Sequence, residues 1–364
     1  MASKTLNTYN PQSVSIPGET IQDLIDELGM KQPELAERMG IHVKTLNEII
    51  KGKNPITPET ALHLERILKV PANFWLSREQ QFREFLARQE EYKKLITEVD
   101  WLKELPVNQM VKYGWVKEYK NKVEQLIEMF SFFGVASRNE WNVLWMQPQA
   151  AYRISLNTAN EPGAIAAWLR YGEIKSKDFE RKYDEQLFKS NLKKIKKLAF
   201  ENPDNCVSKL KELCNEAGVI VVFTPPVNKA KISGAVRWVG NNPIIQLSNR
   251  WKMHDRFWFT FFHESAHVLL HGKKDYFIEG NSDIDHIVKK ENEADEYAAD
   301  FMIPKNDYKT FTSTSVGYTQ FSVSSFAKKI KVHTGIVVGR LQHDKKIAPS
   351  HLNNLKLTWE IEMD

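Results

Sequence analysis

The chain has 364 residues, more than one ordinary hydrophobic core takes in, so we expect two or three domains. Its 51 basic and 46 acidic residues leave a net charge of +5, which is too small to indicate a nucleic-acid partner by itself. No apolar run is long enough for a membrane span, and the polar N-terminal residues MASKTLNTYNPQS lack the apolar segment of a signal peptide. Cys206 and Cys214 are too few for a disulfide framework, so we expect a cytoplasmic protein without a membrane partner.

Local composition divides the chain into four regions with different patterns. A polar tail comes first, short helices punctuated by Gly and Pro follow, and a charged helical stretch leads to a region of strands and then helices. Strands followed by helices are typical of an α+β domain. The predicted multidomain fold therefore has a polar tail (1–15), an all-α domain (16–90), a helical connecting region (91–204) and an α+β domain (205–364).

Short helical patterns, most of them ended by a glycine, fill the second region. Apolar residues at helical spacing predict helices over residues 21–28, 33–39 and 43–50, and a fourth starts after the capping residue Thr57. Gly40 separates the second helix from the third. Two short helices joined by a glycine turn have the geometry of a helix-turn-helix.

The third of these helices and its flanks carry the candidate DNA contacts. Short polar side chains and lysines suit base edges and phosphates. A small helical bundle with a solvated face would produce the same periodicity, so the pattern alone favours neither interpretation. The candidate DNA-binding residues are Gln32, His42, Val43, Lys44, Thr45, Asn47, Lys51 and Lys53.

The segments IPGE, PELAERMGI, KTLNEIIKGKNPITPETALHLERIL and NFWL resemble the Cro/repressor-type helix-turn-helix of the HigA antitoxin family. The resemblance covers residues 16–88 and favours DNA binding. It implies a double-stranded DNA operator, a homodimer that meets two half-sites, and a toxin or other protein as partner. Lys31 and His42 stand where that family usually has Ser or Thr at a helix start, so we expect weaker capping there.

The last region begins with strands and continues with two helices. A β-branched run predicts a strand at 219–223, and segments 235–239 and 244–247 flank GNNP, a hairpin signal. An aromatic-rich, buried helix is expected from Asp255 to Leu270. A second helix is expected from about Ile287 to Met302, before a proline.

The first of these two helices contains the pattern H-E-x-x-H, formed by His263, Glu264 and His267. Histidines four residues apart share one helix face, so both imidazoles can reach a single metal ion. The glutamate between them is placed to take a proton from an attacking water. With 10 His and 46 acidic residues in 364, about 0.03 chance matches to such a pattern are expected, so the signal is specific.

His271 continues this spacing but is a poor candidate for a third ligand. Eight residues along a straight helix span about 12 Å, whereas zinc ligands lie about 2 Å from the ion. A metzincin would need a glycine before its third histidine, and here Gly272 follows His271 instead. We therefore interpret His271 as a structural histidine at the helix end or in a pocket.

The second helix offers Glu291 as the third ligand. This residue extends the apolar stripe of Ala294 and Ala298, and a carboxylate on a core-facing stripe is costly unless it is paired or binds a metal. A salt bridge with a nearby lysine, such as Lys289 or Lys290, is the alternative. Glu293, Glu296 and Asp300 are expected on the solvated side of the helix. Asp295, one turn after Glu291, is placed to orient a ligating histidine from outside.

The stretches ISGAVRW, PIIQLSNR, FWFTFFHESAHVLLH, ENEADEYAADFMIP and FAKKIKVHTGIVVGRLQ resemble the ImmA/IrrE family of zinc metallopeptidases. The resemblance implies a zincin-like fold of the gluzincin type, with zinc on His263, His267 and Glu291 and with Glu264 as general base. Asp295 stands where the family often has Asn. Zincin-type folds bind the substrate backbone along an edge strand, for which the strand at 244–247 is the candidate.

Two functions are compatible with this combination of regions. In the first, a DNA-binding regulator carries a zinc endopeptidase that cleaves a specific protein partner, such as a repressor or another regulator. In the second, an antitoxin-like autorepressor has a zinc domain that senses or holds a partner without cutting it. An intact H-E-x-x-H with Glu291 favours the first, because a purely structural zinc site does not need Glu264.

Overall fold

The computed structural model describes residues 13–146, 161–177, 179–200, 206–248, 250–271, 284–315 and 317–363. The chain divides into two compact units, Met1–Val99 and Asp100–Asp364. Among the described residues, no helix is long and apolar enough to span a lipid bilayer.

The first unit is helical throughout its described part, which confirms the predicted helix-turn-helix fold. The apolar stripes of the helices meet in a core that includes Ile21, Ile25, Leu35, Leu46, Leu64 and Trp75. The helices are α1 (Pro17–Glu27), α2 (Gln32–Met39), α3 (Val43–Ile50), α4 (Pro58–Leu68) and α5 (Ala72–Ile96).

The ends of these helices follow from local chemistry. Gly40 ends α2 in the left-handed conformation, with φ of 68°, which a glycine adopts without steric cost. The Thr57 side chain caps α4 by accepting a hydrogen bond from the Thr60 backbone N–H. Neither Lys31 nor His42 makes a side-chain cap at the start of α2 or α3, in line with the weaker capping predicted for them.

The second unit combines many helices with one small sheet, as expected for a C-terminal α+β domain in a multidomain chain. A 3-10 turn covers Val99–Glu104, π-helical turns cover Asn142–Met146 and His267–His271, and a further 3-10 turn covers Asn353–Leu355. Its helices and strands are α6 (Val107–Lys112), α7 (Lys122–Phe133), α8 (Arg138–Trp141), α9 (Pro162–Lys175), α10 (Glu185–Leu198), α11 (Cys206–Glu216), β1 (Ile220–Phe223), β2 (Gly234–Val239), β3 (Asn242–Leu247), α12 (His254–Ala266), α13 (Ile284–Met302), α14 (Lys305–Thr314), α15 (Gln320–Ile330) and α16 (Thr334–His343).

The sheet has the strand order β1-β3-β2, with β1 parallel to β3 and β2 antiparallel to it. The predicted hairpin is present, because β2 and β3 are joined through Gly240 and Asn241. The expectation that residues 244–247 form an edge strand is wrong, since β3 pairs on both sides. Among the described residues, β1 and β2 are the edge strands. Pairing of β1 with β3 joins strands that lie about twenty residues apart, and no local pattern encodes that pairing.

Helix α9 packs against the sheet and is buried from Gly163 to Gly172. Gln246 of β3 donates a hydrogen bond from its side-chain amide to the Trp168 backbone carbonyl, at 2.6 Å. A Cβ at Gly172 would lie only 2.1 Å from the Gln246 side chain, so the helix and the strand approach closely because a glycine stands there. Helix α9, from the helical segment before the sheet, thus packs directly against β3.

Helices α12 and α13 pack on each other beneath this sheet. The predicted buried helix over 255–270 is present as α12 followed by the π-helical turn, and α13 ends at Met302 as predicted. Phe257, Trp258, Phe261 and Phe262 anchor α12 in the main hydrophobic core. This apolar face leaves the opposite side of α12 for polar residues, which are described in the next section.

The first residue of α12, His254, is a buried histidine within an aromatic cluster. Its Nε2 accepts a hydrogen bond from the Trp258 indole N–H at 2.9 Å, while its Nδ1 has no hydrogen-bond partner. The rings of His333 and Trp359 lie 5.0 and 5.5 Å away. Burial, and then the neighbouring His333, lowers the pKa of His254 from 6.5 to about 3.

This buried histidine predicts a loss of stability in acid. An unfolded chain protonates His254 below its ordinary pKa of 6.5, whereas the folded chain does so only near its lowered pKa of about 3. The stabilisation is therefore complete above pH 6.5 and is lost as the pH falls through this window, by about 1.4 kcal/mol per pH unit. Urea unfolding at several pH values gives the free energy of unfolding as a function of pH. In this window its slope should correspond to one proton fewer in His254→Gln, whose amide oxygen can still accept a hydrogen bond from Trp258. An unchanged slope would contradict this assignment.

Candidate metal centre and nucleic-acid interface

The structure brings His263, His267 and Glu291 together. His263 lies in the last turn of α12, His267 opens the π-helical turn, and Glu291 lies in the middle of α13. The Nε2 atoms of the two histidines are 3.0 Å apart. The Glu291 carboxylate lies 3.3 Å from His263 Nε2 and 3.5 Å from His267 Nε2.

This donor set fits a divalent cation. One ligand atom from each of these residues lies within 4.8 Å of the others, so a single ion can be reached by all of them. Two imidazoles and one carboxylate are a ligand set that zinc takes in catalytic sites, where a fourth position stays open. Of the two lysines considered as alternative partners of Glu291, Lys289 lies near Glu293 instead, at 3.9 Å.

Each histidine turns its other ring nitrogen outward to a polar partner. His263 Nδ1 lies 2.8 Å from the Asp295 carboxylate, as the sequence predicts. His267 Nδ1 lies 2.9 Å from His271 Nδ1, and His271 Nε2 lies 3.2 Å from Glu293. No pattern in the sequence indicated this second set of contacts.

Glu264 is buried beneath the start of strand β2. Its side chain lies against Gly234, where an added Cβ would be 2.5 Å from Glu264 Oε1 and 2.6 Å from Thr260 Cγ2. A glycine on β2 is therefore what leaves room for this carboxylate. Glu264 thus lies between the histidine pair on its own helix and the start of strand β2.

The charges of this cluster shift the proton affinity of its members. Burial raises the pKa of Glu264, and the charge of His263 lowers it. The negative charges of Glu291 and Asp295 raise it further, so that the pKa of Glu264 is about 8. Burial alone would lower the pKa of His263, yet hydrogen bonds to Asp295 and Glu291 raise it well above its usual value. Burial and then the charge of His263 lower the pKa of His267. A carboxyl whose pKa lies near neutral is suited to proton transfer.

The candidate DNA-binding residues lie together on the surface of the first unit, on α3 and its flanks. Two of them form a short chain of contacts with Gln22: Gln32 donates to the Gln22 amide oxygen at 2.6 Å and accepts from the Asn47 side chain at 3.3 Å. Thr45, like Gln32 and Asn47, is partly buried. The exposed members of the set are His42, Val43, Lys44, Lys51 and Lys53.

Two family models match the chain, one in each unit. A helix-turn-helix model matches residues 21–75, and the model of the IrrE N-terminal-like domain, Peptidase_M78, matches residues 214–342. The chain is 34% identical over 61 residues to an uncharacterized HTH-type transcriptional regulator of Escherichia coli (strain K12), YddM. That alignment covers 17% of this chain and 65% of the relative, so the chain spans less than two thirds of it.

One solved structure also matches part of the chain. It is a protein of Nostoc punctiforme PCC 73102 described as a candidate antidote protein of a plasmid maintenance system, with 31% sequence identity. The match covers 23% of this chain and 94% of that one, with a TM-score of 0.22. Because the score is that low, this likeness carries no argument about function.

The close approach of Gly234 and Glu264 predicts that a methyl group at position 234 is costly. In Gly234→Ala the new Cβ overlaps Glu264 and Thr260, and overpacking of this kind costs about 1–3 kcal/mol. Gly317→Ala is the matched control, because a Cβ there meets no atom within 4 Å and the substitution removes the same backbone freedom from the unfolded chain. Urea unfolding should find the Gly234 variant clearly less stable than the Gly317 variant. Equal stability would show that Glu264 does not rest on Gly234.

Proposed function

Because the chain joins a helix-turn-helix domain to an IrrE N-terminal-like domain of the Peptidase_M78 family, we propose that this transcriptional regulator cleaves a specific protein partner with a zinc endopeptidase centre. The observation that carries the proposal is the convergence of two imidazoles and a carboxylate beside a buried glutamate. The expected partner is a repressor or another regulator. The helix-turn-helix domain, in turn, is expected to bind a double-stranded operator as a homodimer.

In this proposal His263, His267 and Glu291 hold the zinc ion. Zinc bound there would supply Lewis-acid chemistry for hydrolysis of a peptide bond. Glu264 takes a proton from the attacking water and delivers it to the amine that leaves. Glu264 is buried and directly follows the candidate ligand His263 on the same helix, which supports this assignment. Asp295 orients the His263 ring through the hydrogen bond at Nδ1.

Substitution of the site should separate zinc binding from catalysis. Wild-type protein should carry about one zinc ion per chain, and His263→Ala should lose most of it because a ligand is removed. Glu264→Gln should keep the metal but lower cleavage by about 100-fold or more, because only the proton acceptor is lost. Zinc is measured by elemental analysis, and cleavage by mass-spectrometric mapping of new protein N-termini in cells that express each variant.

Glu296→Gln is the matched control for the Glu264 variant. Glu296 lies on α13, pairs with Lys305 and should not affect either measurement. Zinc content that is unchanged in His263→Ala would refute the metal centre, and full cleavage by Glu264→Gln would refute the mechanism. Zinc without any Glu264-dependent cleavage, together with partner binding, would instead support a sensing domain of an antitoxin-like autorepressor.

The DNA-binding assignment has its own test. The double variant Lys44→Ala, Asn47→Ala should bind the operator more weakly, by about 1–3 kcal/mol, since it removes one exposed cation and one amide from the surface of α3. Lys93→Ala, an exposed lysine on α5, is the control. Gel shifts with the DNA upstream of the gene measure the effect, and equal binding by all proteins would mean that α3 does not read the DNA.

A further inference from the structure

The outer contacts of the two candidate ligand histidines differ in kind. His263 meets the Asp295 carboxylate directly, but His267 meets a second imidazole, that of His271, which in turn meets Glu293. We propose that His271 and Glu293 are positioning residues that hold the His267 ring with its Nε2 lone pair facing the metal. The inference rests on the zinc centre proposed above and extends it to residues outside the ligand set.

The positions of the protons admit one consistent arrangement along this chain of contacts. A metal ligand needs a free lone pair, so His267 Nε2 carries no proton and its Nδ1 does. That Nδ1–H donates to His271 Nδ1, 2.9 Å away, which must then be the unprotonated nitrogen of His271. The proton of His271 therefore lies on Nε2 and is donated to Glu293, 3.2 Å away, whose ionised carboxylate only accepts.

The burial of His271 supports a polar role for it. This residue is 8% exposed, and a buried imidazole is costly unless its nitrogens are hydrogen-bonded. Both ring nitrogens have partners here, one in the candidate metal centre and one on α13. His271 also closes the π-helical turn His267–His271, and π-helical turns inside longer helices occur frequently at functional sites.

The hydrogen-bonded chain His267–His271–Glu293, called the relay below, ends at Glu293. Its side chain is 46% exposed, so its charge is solvated and does not have to be buried. One oxygen faces His271, while the other faces the Lys289 ammonium group at 3.9 Å. Helix α13 would thus supply Glu291 as ligand, Asp295 as the partner of His263, and Glu293 as the distant partner of His267.

The test measures zinc affinity by competition with a chromophoric chelator. His271→Ala and Glu293→Ala should each weaken zinc binding by about 10–100-fold, the usual effect of removing such an outer contact. Glu296→Ala is the control, since Glu296 pairs with Lys305 and has no histidine partner. Zinc affinity at the wild-type level in both His271→Ala and Glu293→Ala, or an equal loss in Glu296→Ala, would overturn the proposal.

A rescue variant separates positioning from mere packing. In His271→Asn the side-chain oxygen can take the place of Nδ1 and accept from His267, so zinc affinity should stay near wild type. Because this acceptor no longer needs Glu293, adding Glu293→Ala to His271→Asn should have no further effect. A full additional loss in the double variant would contradict the relay.

Ring-nitrogen NMR of ¹⁵N-histidine-labelled protein provides a readout independent of affinity. The zinc-loaded wild type should show His267 protonated at Nδ1, and His271→Ala should broaden or shift that signal. If wild-type protein binds no zinc at all, the proposed metal centre fails. If it binds zinc and His271→Ala leaves both affinity and the His267 signal unchanged, only the relay fails.

Discussion

The candidate metal centre depends on one electrostatic constraint: two imidazoles and a carboxylate converge in a largely buried space and need positive charge among them. The Nε2 atoms of His263 and His267, at 3.0 Å, cannot both present lone pairs to each other. Hydrogen bonds to Asp295 and Glu291 therefore favour a proton on His263 and raise its pKa. A divalent cation supplies the same charge to the same atoms, which is why this donor set fits a metal.

The rest of the second unit holds this cluster in place. The aromatic face of α12 is fixed in the main core, so its opposite face is directed toward α13. Helix α13 supplies three carboxylates to this cluster: Glu291 lies near His263 and His267, Asp295 near His263, and Glu293 near His271. On the other side, Gly234 lets β2 approach Glu264 without a clash. The candidate base and the candidate ligands are thus positioned by packing that also stabilises the fold.

The combination of a helix-turn-helix with a Peptidase_M78 domain is the reason to propose a role in gene regulation. A covalent link keeps the helix-turn-helix unit and the proposed peptidase unit in fixed proportion, so that a partner bound to one is present at high effective concentration for the other. Glu264 separates the two proposed functions. A buried carboxylate beside a histidine pair is costly, and a domain that only senses its partner has no need of it.

Much of this protein could be predicted from local sequence. Apolar periodicity, together with capping and turn residues, located α1 to α4, the hairpin and the two helices of the centre, and the four-residue spacing of His263 and His267 indicated a shared face. The stripe of Ala294 and Ala298 singled out Glu291, and the turn after it singled out Asp295. Such signals are readable because helix geometry relates neighbours three or four residues apart.

Only the tertiary structure decided the contacts that cross between elements. Among the described residues, strand order placed β3 between two other strands, contrary to expectation, because the β1–β3 pairing joins separate segments. His271 and Glu293 looked like a helix-end histidine and a solvated glutamate, yet a π-helical turn brings them together. Gly234 and Glu264 are thirty residues apart and meet because a strand packs over a helix. Sequence thus determined which chemical groups share a helix face, whereas packing of distant segments determined which of them touch.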